Sequence, residues 1–342
     1  MQDRDRPRAS SPAVRPGAGA GAPADSVGPD RVANLVVGEE GAGQRLDNYL
    51  LRLAKGVPKS HVYRIVRSGE VRVNGGRAAV DQRLALGDRL RVPPIRIAAG
   101  PSSKAPPRGD VPPVLYEDEH VLAVDKPAGL AAHGGSGIDF GLIERVRAAR
   151  PNQPFLELAH RLDRETSGIL LLGKSRRALV GLHEQLREGQ VDKRYLALVK
   201  GDWVNDRQHV KAPLAKYLTR EGERRVAVDD EGMPSHTIFT RVERFGAFSL
   251  LEAELKTGRT HQIRVHLAHL DYPIAGDDKY GDFELNKQLA RGEAPGARGA
   301  RLGRMFLHAC RTRFTHPVSG EPVDLAAPLP RDCDDFLRSL RA

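Results

Sequence analysis

Apolar residues first fall into a helical rhythm at Leu46, Tyr49, Leu50 and Leu53, spaced i, i+3, i+4 and i+7, which predicts a short amphipathic helix. Gly56-Val57-Pro58 interrupts it. Ser60 is then placed to cap a second helix with Val62, Ile65 and Val66 on its inner face, and Gly69 suits the left-handed position that closes a helix. The period changes next to that of a strand: Val71 and Val73 alternate into the two-residue hairpin signal Asn74-Gly75, and Leu84, Leu86, Leu90 and Val92 supply return strands. Two helices followed by a small sheet occupy residues 44–98, and a Gly-, Pro- and Ser-rich linker follows over 99–112.

Strands and helices alternate from 113 to 342, predicting one large α+β domain. Val114-Leu115-Tyr116 and Val121-Leu122-Ala123-Val124 read as strands around the turn Glu117-Asp118-Glu119-His120. The run Ile169 to Leu172 reads as a buried strand, followed by a helix capped by Ser175, carrying Leu179, Leu182 and Leu186, and ended by Gly189. Tyr195–Val199 and Phe248–Leu255 are further strands. After the second, Thr260 is placed to cap a helix with Ile263, Leu267 and Leu270 on its core side.

Composition adds a location and a partner class. Residues 1–32 are rich in Pro, Gly, Ala and Ser without hydrophobic periodicity, the mark of a disordered tail, and contain no apolar stretch of signal-peptide length. No segment approaches the roughly 20 apolar residues of a membrane span, and Cys310 and Cys333 form neither a disulfide framework nor a metal motif. A soluble, cytoplasmic monomer without membrane contact is the expectation. Net charge is +10, concentrated over Gln44–Ala98, where twelve Arg or Lys face four Asp or Glu. Such a block binds polyanions by neutralising phosphates and releasing counterions. Arg52, Lys55, Lys59, Arg64 and Arg67 on the polar helix faces are the candidate nucleic-acid contacts.

Asp163 is the leading chemical candidate. It lies in His160-Arg161-Leu162-Asp163-Arg164-Glu165-Thr166-Ser167-Gly168, on a tight turn feeding a buried strand, with an arginine near it on either side. An acid held this way suits nucleophilic chemistry. His261, His266 and His269 invite a metal reading, but spacings of five and three point them in different directions on one helix, so no metal is expected.

His-Arg-Leu-Asp-x-x-Thr-Ser-Gly resembles the signature of the RluA-type pseudouridine synthases. Supporting blocks follow in the family's order: Asp192-Lys193-Arg194-Tyr195, Thr257-Gly258-Arg259-Thr260-His261-Gln262-Ile263-Arg264-Val265-His266, and Phe306-Leu307-His308-Ala309. The basic amino-terminal segment resembles the S4 RNA-binding domain over about fifty residues. The resemblance implies an α+β fold, an S4-like domain followed by a mixed, largely antiparallel sheet with flanking helices. It also implies cofactor-free isomerisation of uridine to pseudouridine in 23S ribosomal RNA, the partner being large-subunit RNA.

By the same resemblance Asp163 is the catalytic acid, either attacking covalently or supporting departure of the base and removal of a sugar proton. Arg264 is its ion-pair partner, and Tyr195 stacks on the uracil with a hydroxyl available for proton transfer. Leu307 packs against the flipped base, and His160 positions the turn by hydrogen bonding. Arg161 fills the space the flipped uridine leaves, in preference to the alternative its place in the chain offers, a second partner for Asp163. A different class of protein, an RNA-binding assembly factor with a scaffold-only catalytic domain, would share the basic segment.

Overall fold

The computed structural model describes residues 31–38, 41–54, 57–95, 111–134 and 140–342, in two compact units. Most of the expected tail and linker lie outside the described residues. In the first unit β1 (Ala33–Val36), α1 (Leu46–Leu53), α2 (Lys59–Arg67), β2 (Arg72–Val73), β3 (Gly76–Arg77) and β4 (Arg89–Val92) build an antiparallel sheet of order β1-β4-β2-β3 with two helices. Leu46, Tyr49 and Leu50 of α1 and Val62, Ile65 and Val66 of α2 are buried together, as their spacing predicts. Asn74 and Gly75 take φ of 52° and 80°, the paired left-handed conformation of a tight hairpin turn.

Three local expectations change here. Pro58, not Ser60, precedes α2: with its ring fixing φ at −58° and with ψ at 140° it gives an extended entry, so the helix starts at Lys59, earlier than a Ser60 cap would have it, and Ser60 falls inside the first turn. Leu84 is buried in a loop and Leu86 is exposed, because the Ala85–Asp88 turn interrupts the alternation; only Leu90 and Val92 lie on a strand. β1 lies ahead of residue 44, and buried Ala33 and Leu35 seat it beside β4 in the same sheet.

The second unit runs β5 (Val114–Glu117), β6 (Val121–Lys126), α3 (Leu142–Ala149), β7 (Glu157–Leu158), β8 (Ser167–Gly173), α4 (Arg176–Glu188) and β9 (Asp192–Lys200). It continues through β10 (Arg207–Val210), β11 (Leu214–Leu218), β12 (Arg224–Val228), β13 (Thr237–Arg244), β14 (Phe248–Leu255) and α5 (Gln262–His269). α6 (Phe283–Arg291), β15 (Leu307–Thr315), β16 (Pro322–Ala326) and α7 (Arg331–Arg341) complete it. Eight strands form the main path β10-β13-β14-β9-β15-β8-β6-β5, with β7 on β8 and β16 on β15, while β11 and β12 form a separate hairpin. β8 against β15 is the only parallel pairing among the described strands, so the sheet is mixed and largely antiparallel.

Both faces of this sheet are covered, which explains its continuous apolar runs. Leu170 and Leu172 of β8 join a core with Leu251 of β14, α3 and α5, while Ile169 and Leu171 join α4 on the opposite face. Ser175 accepts from Ala178 N at 3.2 Å to cap α4, and Gly189 closes it in a left-handed conformation. Gly168 has φ 110°, and a Cβ there would lie 2.3 Å from the Ala309 carbonyl oxygen. Glycine is what lets β8 approach β15 in parallel directly after the Asp163 turn.

Candidate active site

A cleft of about 550 Å³ opens in the second unit, and Asp163, Tyr195, Arg264 and Leu307 reach it from four separated stretches of chain. The turn that carries Asp163 is pinned on both sides. Thr166 N donates to the Asp163 carbonyl at 3.2 Å, and Leu171 N of β8 donates to His160 Nε2 at 3.2 Å. Burial pushes His160 down to about 3, so it is a neutral acceptor at neutral pH. Beneath the turn, fully buried Lys126 donates to the carbonyls of Pro127 at 2.9 Å, Leu130 at 2.8 Å and Arg164 at 3.1 Å, and burial lowers its pKa to about 7. Beyond the turn, Arg304 donates to Ser167 Oγ at 2.7 Å, and Ser167 Oγ lies 2.9 Å from Nδ1 of buried His308.

Arg264 is 3% exposed, so it is no solvated helix arginine. Its Nη1 lies 3.6 Å from Asp163 Oδ2. Its closer partner is Asp277, which accepts from Nε and Nη2 at 2.6 Å each, and Asp278 Oδ1 lies 3.3 Å from Nη2. Asp277 also accepts from the backbone N–H groups of Lys279 and Tyr280 at 2.8 and 3.0 Å, and the Arg264 guanidinium sits 5.1 Å over the Tyr280 ring. Despite burial, Arg264 and these N–H groups hold the Asp277 carboxyl below the usual carboxylate range. Helix α5 begins at His261 in a left-handed conformation and not at a Thr260 cap; the turn aims His261 Nε2 at Asp163 Oδ2, 3.8 Å away.

Tyr195 lies on β9 between Ala253 of β14 and Ala309 of β15 and is 7% exposed. Burial, and then the Asp163 charge, raise its pKa, so its hydroxyl keeps its proton at neutral pH. Leu307 starts β15 next to Ala197 of β9 and is buried at the cleft. Neither arginine flanking Asp163 in sequence pairs with it. Arg164 turns away to Glu165 at 2.8 Å, and Arg161 is exposed at the cleft, with no carboxylate among the described residues pairing with it.

Asp277, Tyr280 and Lys126 escaped the reading of motifs. The segment Gly276-Asp277-Asp278-Lys279-Tyr280-Gly281 carries a signal, two acids and a tyrosine between glycines, but nothing local names Arg264 as their partner. His261 meets Tyr280, and His266 is buried against Ser235 and Thr237. Among the described residues no group of three His, Cys, Asp or Glu is arranged to hold a metal, and no helix is long and apolar enough to cross a membrane. In the first unit Lys59, Arg64 and Arg67 are exposed along α2, with Lys59 Nζ and the Arg67 guanidinium 5.2 and 5.5 Å from the Tyr63 ring centre. Arg52 lies 5.1 Å over Tyr49, and Lys55 is outside the described residues.

Family models match both units: the S4 domain over 44–90 and RNA pseudouridylate synthase over 120–269. Ribosomal large subunit pseudouridine synthase C of Escherichia coli strain K12 is 48% identical over 307 residues, 88% of this chain and 94% of that protein. The protein of that name from Pasteurella multocida is 49% identical over 315 residues, 91% and 94% of the two chains. Among solved structures, human RNA pseudouridylate synthase domain containing 1 aligns with a TM-score of 0.51 at 26% identity, over 68% of this chain and 97% of that one. Domain containing 4 of the same human series aligns at 0.54 and 24%, over 67% and 92%, a likeness of fold. Near-half identity along almost the whole length of the bacterial enzymes, with all four motif segments converging on one cleft, means that this chain belongs to the RNA pseudouridylate synthase family.

Proposed function

We propose that the protein isomerises uridine to pseudouridine in 23S ribosomal RNA, with Asp163 as the catalytic carboxylate. The observation that carries this is the cleft itself: an aspartate next to a buried arginine, a protonated tyrosine and a buried leucine, each from a different motif. The reaction breaks the N1–C1′ bond, turns the uracil and forms C5–C1′. C5 loses a proton and N1 gains one, so nothing is oxidised and no group leaves, and the chemistry requires no cofactor. Asp163, with the Arg264 guanidinium beside it, either bonds to C1′ and is displaced when C5 attacks, or takes a sugar proton as the base departs and returns it as C5–C1′ forms.

Tyr195 stacks on the uracil and, with its hydroxyl protonated, serves as a hydrogen donor. Leu307 packs on the other side of the base, and His160 holds the turn. Uridine must leave its stack at a cost of a few kcal/mol, and Arg161, exposed and with no carboxylate partner among the described residues, is suited to fill the gap and contact phosphate. The S4-like unit holds the RNA through Arg52, Lys55, Lys59, Arg64 and Arg67. The protein works as a monomer in the cytoplasm, where ribosomal RNA is made, and light scattering tests the stoichiometry.

Incubation with 23S RNA transcript and no cofactor, followed by pseudouridine mapping, tests the reading. Wild type yields pseudouridine, and Asp163→Asn yields none while its RNA affinity stays within about twofold, since one carboxyl contributes little to phosphate binding. Undiminished product from the variant overturns the assignment of Asp163.

A further inference from the structure

One tyrosine sets which nitrogen of His261 carries its proton. The backbone N–H of Val226, on β12, donates to the Tyr280 hydroxyl oxygen at 3.0 Å. Tyr280 Oη lies 2.8 Å from His261 Nδ1, and no other acceptor for the Tyr280 proton is found among the described residues. A hydroxyl that accepts from Val226 and gives its proton to the nearest acceptor donates to Nδ1 and leaves that nitrogen unprotonated. The proton of a neutral His261 then sits on Nε2, the atom 3.8 Å from Asp163 Oδ2. Arg264 Nη1 approaches the same oxygen at 3.6 Å, while no donor among the described residues pairs with Oδ1.

Building on the proposed reaction, we infer that His261 is a positioning residue: as the Nε2–H tautomer fixed by Val226 and Tyr280, it joins Arg264 on Asp163 Oδ2 and leaves Oδ1 to react. Two further features support this. His261 holds φ 55° without being glycine, a strained conformation that persists where surrounding contacts impose it. Its charge state also suits a donor without net charge. Burial lowers its pKa, the Asp163 charge opposes this, and Arg264 and Lys279 then lower it further. Burial also raises the Tyr280 pKa, which keeps the phenol protonated for the bond to Nδ1. The 3.6 and 3.8 Å separations are longer than hydrogen bonds, and catalytic contacts in an empty cleft commonly are.

The tautomer is directly measurable. Long-range ¹H–¹⁵N spectra of the full-length protein separate Nε2–H from Nδ1–H imidazoles, and wild-type His261 is expected as Nε2–H, shifting toward Nδ1–H in Tyr280→Phe. Single-turnover pseudouridine formation falls about tenfold in both Tyr280→Phe and His261→Ala, with RNA affinity within about twofold. His261→Gln, whose amide can donate to Oδ2, recovers part of the loss. The double variant His261→Ala/Tyr280→Phe is no slower than His261→Ala alone, because Tyr280 acts through His261. An Nδ1–H tautomer in wild type, or wild-type rates in both single variants, overturns the inference. A wild-type protein that forms no pseudouridine overturns the proposed reaction and leaves the tautomer measurement standing.

Discussion

Asp163 owes its setting to a residue that does not touch it. Asp277 holds Arg264 through two 2.6 Å hydrogen bonds, and both side chains are almost fully buried. Removing one partner of a buried pair costs roughly 3–5 kcal/mol, because the other charge is left without compensation. Asp277→Asn keeps the shape and removes the charge, so Arg264 is freed to turn toward Asp163. Its urea midpoint should fall by an amount equivalent to roughly 3 kcal/mol, and single-turnover pseudouridine formation should fall at least about tenfold. A variant as stable and fast as wild type would show that Arg264 needs no such anchor.

Among the elements, the parallel pairing of β8 with β15 matters most to the cleft. It brings Ser167 opposite His308 and so fixes Leu307 and the Asp163 turn relative to each other. Gly168 permits that approach, since any side chain there meets the Ala309 carbonyl and must also adopt φ 110°. Gly168→Ala should lower stability by roughly 2–4 kcal/mol in chemical denaturation and slow catalysis with it. The nearby helix α4 was legible beforehand from Ser175, its leucines and Gly189, because capping and periodicity are local. The start of α5 was not: Thr260 has a capping side chain, yet the contact with Tyr280 and the tight turn move the helix origin to His261.

At the scale of the whole molecule, two properties follow from where charge is allowed. His160 and His308 are held by burial at about 3 and about 4, below the ordinary 6.5, so the folded protein keeps them neutral where the unfolded chain protonates them. They cost nothing above pH 6.5, where both states are neutral; as pH falls below it the unfolded chain gains protons and stability is lost, down to about 4 for His308 and about 3 for His160, at most about 1.4 kcal/mol per pH unit for each. Urea midpoints measured across that range should drop toward acid, and His308→Gln should flatten the slope. The basic helix α2 predicts a second property, RNA affinity that falls steeply with salt. Lys59→Ala and Arg67→Ala should each reduce the slope of log affinity against log salt by roughly 0.7–1, measured by filter binding.

The class of elements, the basic unit ahead of the larger one, and the motif residues that line the cleft can all be read from the order of residues. Each depends on local periodicity, capping or ordered motifs, which need no knowledge of distant chain. The partners of those residues emerge only on folding. From sequence, Asp163 stands between Arg161 and Arg164; folded, it faces Arg264 and His261, while Asp277 and Tyr280 hold those two in place. The physical reason is that a tight turn directs neighbouring side chains apart, so that a buried charge is matched by whatever group the sheet and helix packing brings within a few ångströms.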